Sequence, residues 1–205
     1  MKTLSTTLLA LASAAVLALS STPGAAATPA KPAAAAAAAP ISLLAAQSEL
    51  GFTSKQMGVP VDGKFKRFDA QLSFDPKKPE AAKVAFTIEL ASATLGAPEF
   101  DAEMLKAAWF DAKRVPQATF QSSAVKALGG GRYEVAGKLS IKGQTRDIAV
   151  PLALTQAGGT TTATGGFVLK RLEFKIGDGE WADTSMVAND VQVKFKLAFT
   201  GIAPL

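Results

Sequence analysis

Apolar and polar residues alternate with a period of two along most of the chain after residue 46. The alternation is clearest at residues 68–74, 84–90, 133–141, 148–154 and 191–199. This period is typical of a β-strand with one face in an apolar interior. Turn sequences such as Asp62-Gly63 and Gly158-Gly159 separate the runs, because they permit the positive φ of tight hairpins. We therefore predict about eight strands, centred near residues 50, 69, 86, 121, 137, 149, 168 and 195, in an antiparallel barrel or sandwich.

The segment 98–110 (PEFDAEMLKAAWF) breaks this alternation. It begins with Pro98, continues with acidic residues and has Lys106 further on, an order that suits the dipole of a helix. The larger apolar residues fall on one side of such a helix, namely Phe100, Met104, Leu105 and Ala108. We predict a short helical insertion that either closes one end of a barrel or packs against its wall. Of the two, we expect packing against the wall.

The segment 140–150 (SIKGQTRDIAV) places two cations and one glycine between two apolar runs. A phosphate-binding loop needs several backbone N–H groups that converge at a helix N-terminus, and therefore repeated glycines. We interpret the segment as a hairpin with Gly143 at its bend. Lys142 and Arg146 are then predicted to be charges on the rim of the barrel.

The N-terminal residues differ from the rest of the chain. Residues 1–27 combine an early lysine, a short apolar run and small residues at a cleavage site, as in a secretory signal peptide. Residues 28–42 are rich in alanine and proline and are predicted to be a linker. Residues 43–205 are predicted to be one barrel domain. We accordingly expect a periplasmic protein.

The chain contains neither histidine nor cysteine, which restricts the chemistry it can perform. Ser-His-Asp and Cys-His catalytic systems cannot be built, and neither can a metal site based on imidazole or thiolate. Residues 41–205 carry 20 basic and 17 acidic side chains, a net charge of +3 that does not indicate nucleic-acid binding. The acidic residues near 178–183 lack the calcium-loop pattern, so we predict no metal site. Catalysis by a pair of carboxylates is not excluded by this composition.

Four stretches of the sequence resemble the YceI-like family: residues 51–76, 109–122, 133–152 and 191–199. The most specific motifs are G-x-F-x-x-F-D at 63–69, P-x-A-x-F-x-S at 116–122 and G-x-L-x-I-x-G-x-T at 137–145. The family consists of exported bacterial proteins with a lipocalin-like antiparallel barrel, linked to the binding of polyisoprenoids and other long amphiphiles. The resemblance thus implies an all-β, about eight-stranded antiparallel lipocalin-like barrel with one short helical insertion at about 98–110. Because the chain has no histidine, no cysteine and no recognisable catalytic constellation, we expect no enzyme.

One position departs from the family pattern. Many members carry a histidine shortly after the first strand, where this chain has Gln56. A ligand or metal role of that histidine does not transfer. The amide of Gln56 can still form hydrogen bonds with a polar head group, but it does not titrate near neutral pH.

A barrel of about eight strands either fills its interior with side chains or holds one small ligand. The chain has 12 phenylalanines against one tyrosine and two tryptophans, and rings without hydroxyls suit a hydrocarbon guest. From the residues alone, a packed core explains these rings better. The family resemblance favours a tunnel for an isoprenoid of the polyprenyl or quinone type, with no other cofactor.

The candidate site residues follow from the inward-facing positions of the predicted strands and from the family resemblance. The residues predicted to line the barrel are Phe52, Phe68, Leu72, Phe86, Ile88, Phe120, Leu139, Ile141, Val150, Leu152, Phe167, Phe195 and Leu197. The candidates for a head group or mouth are Gln56, Lys66, Arg67, Trp109, Arg171 and Trp181. The cations among them equally suit a solvated strand edge that prevents further strand pairing.

We expect a periplasmic protein that sequesters or carries a long isoprenoid or a similar amphiphile, with transient contact to the membrane or to a membrane redox protein. A bilayer gives the same lipid nearly the same apolar environment, so such a carrier must enclose the lipid or hold its head group. Two alternatives stay open. The first is a hydrolase that uses a pair of carboxylates, and the second is a stress-response interaction module with a packed core and no ligand.

Overall fold

The computed structural model of the protein describes residues 40–205. The predicted signal peptide and residues 28–39 of the predicted linker lie outside the described residues. At the end of the predicted linker, Ser42 already pairs with Thr200, and Ile41 packs against the core. The folded unit therefore includes the last residues of the segment that we assigned to the linker.

Residues 40–205 form an all-β fold with one short α-helix. The strands are β1 (Ser42–Leu43), β2 (Glu49–Gln56), β3 (Val59–Phe65), β4 (Phe68–Ser73), β5 (Lys83–Glu89), β6 (Ala93–Thr94), β7 (Gln117–Gly129), β8 (Arg132–Ile141), β9 (Gln144–Ala157), β10 (Thr160–Lys170) and β11 (Asp190–Thr200). The helix is α1 (Pro98–Met104), and short 3-10 turns occur at Ala45–Gln47, Pro79–Ala81, Leu90–Ser92, Arg171–Phe174 and Gly179–Trp181. No helix in the described part of the chain is long and apolar enough to cross a membrane.

The strands form one curled antiparallel sheet in the order β4-β5-β7-β8-β9-β10-β11-β2-β3-β6, and β1 pairs with β11. Only two residues separate β3 from β4, and one 3-10 turn separates β5 from β6. Both halves of the stretch 59–73 pair with the stretch 83–94, at Phe65↔Ala93 and at Phe68↔Ile88. If β3–β4 and β5–β6 are each counted as one continuous stretch and the two-residue β1 is left out, the sheet has eight strands, as predicted. The sheet follows the lipocalin-like pattern.

Inward-facing side chains pack in clusters at different heights of the barrel. One cluster joins the buried residues Ala163, Phe199 and Ile202 with Ile41 and Leu43 at and beside β1. A second contains Tyr133 and Val135 and lies beside it, while a third surrounds Leu90, Leu139 and Phe174. The first two clusters border the smaller of two internal spaces, and the third borders the larger.

The segment 140–150 forms the predicted hairpin between β8 and β9. Its two turn residues, Lys142 at φ 49° and Gly143 at φ 74°, both have the left-handed backbone of a type I′ turn. Arg146 is exposed as expected, but the prediction of Lys142 as a rim charge is wrong. Its side chain is only 5% exposed, and Nζ donates to the carbonyl oxygens of Ala108 at 3.1 Å and Lys175 at 2.5 Å.

The helix α1 is shorter than the predicted insertion. It ends at Met104, and residues 105–110 continue as turns that direct Trp109 and Phe110 toward the core. Phe100, which we predicted on the packed side, is 59% exposed. The reason is the location of α1 across one end of the barrel, where four of its residues face the interior space described below.

Candidate functional site

The barrel contains two adjoining chambers. The inner chamber has a volume of about 170 Å³ and the outer chamber about 600 Å³. The residues that line both are Leu50, Ile88, Leu139, Phe167 and Val193. Ligand sites in proteins are usually about 300–1,000 Å³ in volume. The predicted alternative of a fully packed core is therefore wrong.

The inner chamber is apolar throughout. Tyr133 is the one lining residue with a polar side-chain atom, and its ring packs edge-on against Phe74 at a centroid distance of 5.6 Å. Of the predicted lining residues, the inner chamber contains Leu72, Phe86, Ile88, Phe120, Leu139, Val150, Leu152, Phe167, Phe195 and Leu197. The outer chamber adds Phe52 and Ile141. Phe68 lies along neither chamber and stacks on Phe86, with 5.6 Å between ring centroids.

Glycines on inward-facing positions keep the chambers open. A Cβ built on Gly63 would lie only 2.3 Å from Cζ of Phe52, its partner across β2 and β3. A Cβ built on Gly165 would likewise lie 2.6 Å from Cζ of Phe195, its partner on β11. Because these glycines lack a side chain, the phenylalanine rings lie flat against the neighbouring backbone. The barrel thus has an aromatic wall without a filled centre, and the glycine of the G-x-F motif is explained.

The polar residues of the outer chamber come from two elements that face each other. Ser54 and Gln56 lie at the end of β2, while Glu99 and Glu103 lie on α1. Neither glutamate belonged to our candidate residues, because we interpreted both as charges at the helix start. Their spacing of four residues was the available signal, since it places both side chains on one face of a helix.

Arg171 borders the outer chamber, but its guanidinium is engaged within the protein. The residue is 1% exposed, and its five N–H groups donate to five backbone carbonyl oxygens over 2.5–3.0 Å. The acceptors are Ile176, Gly177, Trp181, Val187 and Ala188. Burial lowers the pKa of the guanidinium from its ordinary value. With every donor used, Arg171 holds the segment 176–188 in place and has none left for a head group.

The structure places the other two cationic candidates away from the chambers. Lys66 is exposed in the break between β3 and β4. The guanidinium of Arg67 donates to both carboxylate oxygens of Glu89, with Nε to Oε2 at 2.5 Å. This hydrogen-bonded pair raises the pKa of Arg67 and lowers that of Glu89. Neither cation is positioned by the fold to meet a ligand head group in the chamber.

The two tryptophans lie together at the outer chamber. The rings of Trp109 and Trp181 are 5.6 Å apart and tilted by 44°. Both were candidates for the mouth, and the structure brings them together with Gln56. Among residues 40–205, Nε1 of Trp109 is the single buried side-chain nitrogen or oxygen without a hydrogen-bond partner.

The mouth of the outer chamber has exposed apolar side chains around it. Met57 and Val59, at the tip of the β2–β3 hairpin, are 69% and 64% exposed. Met186 is 45% exposed and its carbonyl accepts the backbone N–H of Met57 at 2.8 Å. Phe100 of α1 lines the chamber itself. We call these four residues the apolar collar, and sequence reasoning did not identify it.

The position of α1 beside the mouth depends on one carboxylate. Asp101 accepts the hydroxyl of Thr94 and the backbone N–H of Leu95, both at 2.7 Å. These hydrogen bonds lower the pKa of Asp101, the bond from Thr94 most strongly. The ionised form is thus the one that attaches α1 to β6. No group of three or more potential metal ligands occurs within the described residues.

Comparison with known proteins decides the family. Residues 42–199 match the family described as the YceI-like domain. The chain belongs to the YceI-like family. Family membership places it among binding proteins that are not known as enzymes, so the alternative of a carboxylate hydrolase is not supported.

Solved structures agree with this fold. BcnA of Burkholderia cenocepacia is 46% identical, with a TM-score of 0.74 over 76% of this chain and 98% of that chain. A domain from Saccharophagus degradans, described as polyisoprenoid binding and implicated in plant cell wall breakdown, is 18% identical, with a TM-score of 0.65 over 78% of this chain and 98% of that domain. At that identity the likeness establishes the lipocalin-like YceI fold and no more.

Curated relatives carry only a general description. A UPF0312 protein of Azotobacter vinelandii is 35% identical over 88 residues, which are 43% of this chain and 46% of that protein. A UPF0312 protein of Vibrio cholerae is 30% identical over 119 residues, 58% of this chain and 63% of that protein. The match thus spans about half to two thirds of these relatives.

Proposed function

We propose that this protein binds a long isoprenoid lipid, of the polyprenyl or quinone type, and carries it through the periplasm. The observation that supports this most is the pair of adjoining chambers, apolar at the inner end and edged with polar groups at the outer end. A lipid with an apolar tail and one polar head has the same division. The polyisoprenoid-binding description of the related Saccharophagus degradans domain also favours this ligand class.

The shape of the site suits binding and transfer. Burial of apolar surface stabilises a complex by about 25 cal/mol for each Å² removed from water. Because a bilayer stabilises the same tail almost equally, retention depends on how completely the chambers enclose it. The inner chamber is lined by apolar side chains of the clusters around Tyr133 and Ile202, which a bound tail would contact.

We propose further that the apolar collar touches a lipid bilayer when the ligand enters or leaves. The four collar residues are exposed, and one of them continues directly into the chamber lining. A tail that passes from bilayer to chamber over this surface never has to cross water. The periplasmic location rests on the predicted signal peptide at residues 1–27.

Native mass spectrometry tests the function directly. Protein purified from the periplasm without detergent should carry an additional mass that dissociates on collisional activation and that lipid analysis identifies as an isoprenoid. A protein of bare polypeptide mass that also takes up no polyprenol or quinone from micelles would contradict the proposal.

A matched pair of variants separates lipid binding from general stability. Phe195→Asp places a carboxylate in the inner chamber and is expected to abolish retention, while Val168→Asp places one on the exposed outer face of β10. Equal lipid retention by both folded variants would contradict binding inside the barrel.

A further inference from the structure

The outer chamber contains a buried donor that the protein itself does not use. The indole N–H of Trp109 is buried and has no acceptor among residues 40–205. Buried polar groups in proteins are nearly always hydrogen-bonded, and an unpaired one calls for an explanation. Because Trp109 lines the outer chamber, an acceptor atom of a bound ligand can supply the missing partner.

The indole ring of Trp109 is held in one position. It packs against Trp181 on one side, and a Cβ on Gly177 would lie 2.9 Å from its Cζ3 atom. The carbonyl of Ala108, the preceding residue, accepts hydrogen bonds from the Gly177 N–H at 2.8 Å and from Lys142 Nζ at 3.1 Å. The ring therefore cannot easily turn to find an acceptor elsewhere, and the donor is organised before any ligand arrives.

The charges of the outer chamber restrict which acceptor fits. Its ionisable lining residues are Glu99, Glu103 and Arg171. All five donors of Arg171 are used by backbone carbonyls, so its guanidinium has no N–H group left for a ligand, and no other cation lines the chamber within the described chain. Glu103 pairs with Lys106, with 2.5 Å between Oε2 and Nζ, and the carboxylate of Glu99 at the mouth repels a pyrophosphate or another anion. An uncharged head group meets neither repulsion nor an unpaired charge.

We propose that the outer chamber selects an uncharged head group with a hydrogen-bond acceptor, such as a carbonyl oxygen, which receives the indole N–H of Trp109. This inference rests on the proposed function and specifies its ligand class. The tail lies in the inner chamber and the head beside Trp109, where Gln56 and Ser54 provide additional polar contacts. Polyprenyl pyrophosphates are poor ligands because no cation of the chamber has a free N–H group to bind them.

The proposal is tested with three probes that share one tetraprenyl tail and end in a benzoquinone, a pyrophosphate or a plain hydrocarbon. Wild-type protein is expected to bind the quinone about tenfold more tightly than the hydrocarbon, and the pyrophosphate most weakly. Trp109→Phe retains an aromatic ring without the N–H group. It should lose that tenfold preference while binding the hydrocarbon as before, which also demonstrates that the variant is folded.

The companion variant is Trp181→Phe, which changes the other ring of the pair and leaves the N–H of Trp109 intact. Because Trp181 also lines the chamber, both affinities are expected to fall, but their ratio should still favour the quinone about tenfold. In ¹⁵N-labelled protein the chain gives two indole N–H signals, one for each tryptophan, which the two variants assign. The signal of Trp109 should move downfield on binding the quinone and stay in place with the hydrocarbon.

The outcomes separate this inference from the function on which it rests. If none of the probes binds, both fail. If the hydrocarbon binds but the quinone is no better, or if Trp109→Phe keeps the preference, the head-group proposal is overturned while lipid binding stands. Tight binding of the pyrophosphate would equally overturn it.

Discussion

At the scale of single residues, two buried cations stabilise loops at the outer end of the barrel. Arg171 and Lys142 are 1% and 5% exposed, and both donate mainly to backbone carbonyls. A buried charge is tolerated when hydrogen bonds replace its lost water. These side chains therefore hold the segment that carries Trp181 and keep the mouth in one shape.

Arg171→Lys tests this arrangement. Lysine has three donors at one point, so it cannot reach five carbonyls that surround a planar guanidinium. We expect the free energy of unfolding to fall by about 2–4 kcal/mol, measured by denaturant titration. Arg67→Lys, at an exposed ion pair, is the control and should leave stability unchanged. Equal effects of the two substitutions would contradict the special role of Arg171.

At the scale of elements, Gly63 of β3 and Gly165 of β10 determine the free space inside the barrel. Each lies opposite a phenylalanine whose ring covers it. Any side chain at these positions must push the ring toward the centre of the barrel. The open chamber is thus a property of paired positions on neighbouring strands and belongs to neither strand alone.

Gly63→Ala is expected to tilt the ring of Phe52 into the outer chamber and to weaken lipid binding about tenfold, with little loss of stability. Isothermal titration with a solubilised prenyl lipid measures the change. The double variant Gly63→Ala with Phe52→Leu should recover most of the affinity. Gly51→Ala is the control, since its added methyl would approach its nearest neighbour, the carbonyl oxygen of Gly63, only to 3.4 Å. An unaltered affinity in Gly63→Ala would refute the explanation.

The attachment of α1 predicts an acid effect. Hydrogen bonds from Thr94 and Leu95 lower the pKa of Asp101, so its contribution is complete above its unfolded pKa of about 4. This contribution is lost as the pH falls through the folded pKa. Amide protection factors in α1 should therefore drop below about pH 4 before those of β8 do. Asp101→Asn should show the lowered protection at neutral pH, whereas Glu99→Gln should not.

At the scale of the whole molecule, the exposed collar and the chamber mouth lie at the same end. Exposed apolar residues that cluster beside a binding site often mark a contact surface. We expect Met57→Gln with Met186→Gln to slow the extraction of a prenyl lipid from vesicles at least tenfold. The affinity for the same lipid in micelles should stay unchanged, because neither methionine lines a chamber.

The control for this experiment is Val168→Gln. Val168 is 54% exposed on the barrel wall and does not belong to the collar. The Val168→Gln variant should extract the prenyl lipid from vesicles at the rate of the wild type in a vesicle-transfer assay. If the collar variant extracts lipid as fast as this control, contact through the collar is refuted.

Much of the fold could be predicted because strand periodicity is local. Alternation over 133–141 and 148–154 indicated which side chains face inward, and nearly all predicted lining residues border the chambers. Two exceptions show where prediction from local alternation fails. Phe68 has the correct alternation but covers Phe86 instead, and Lys142 has the sequence of a rim turn but is buried by a loop from residues 171–188.

The sequence alone determined the all-β class, the number and approximate positions of the longer strands, the family and the exclusion of histidine and cysteine chemistry, because these depend on composition and on neighbours along the chain. Only the tertiary structure decided which end opens, which cations are occupied and which donor is free. Those properties depend on residues far apart in sequence. The carbonyls around Arg171, the rings over the glycines and the free N–H of Trp109 exist only once the barrel and its loops are assembled.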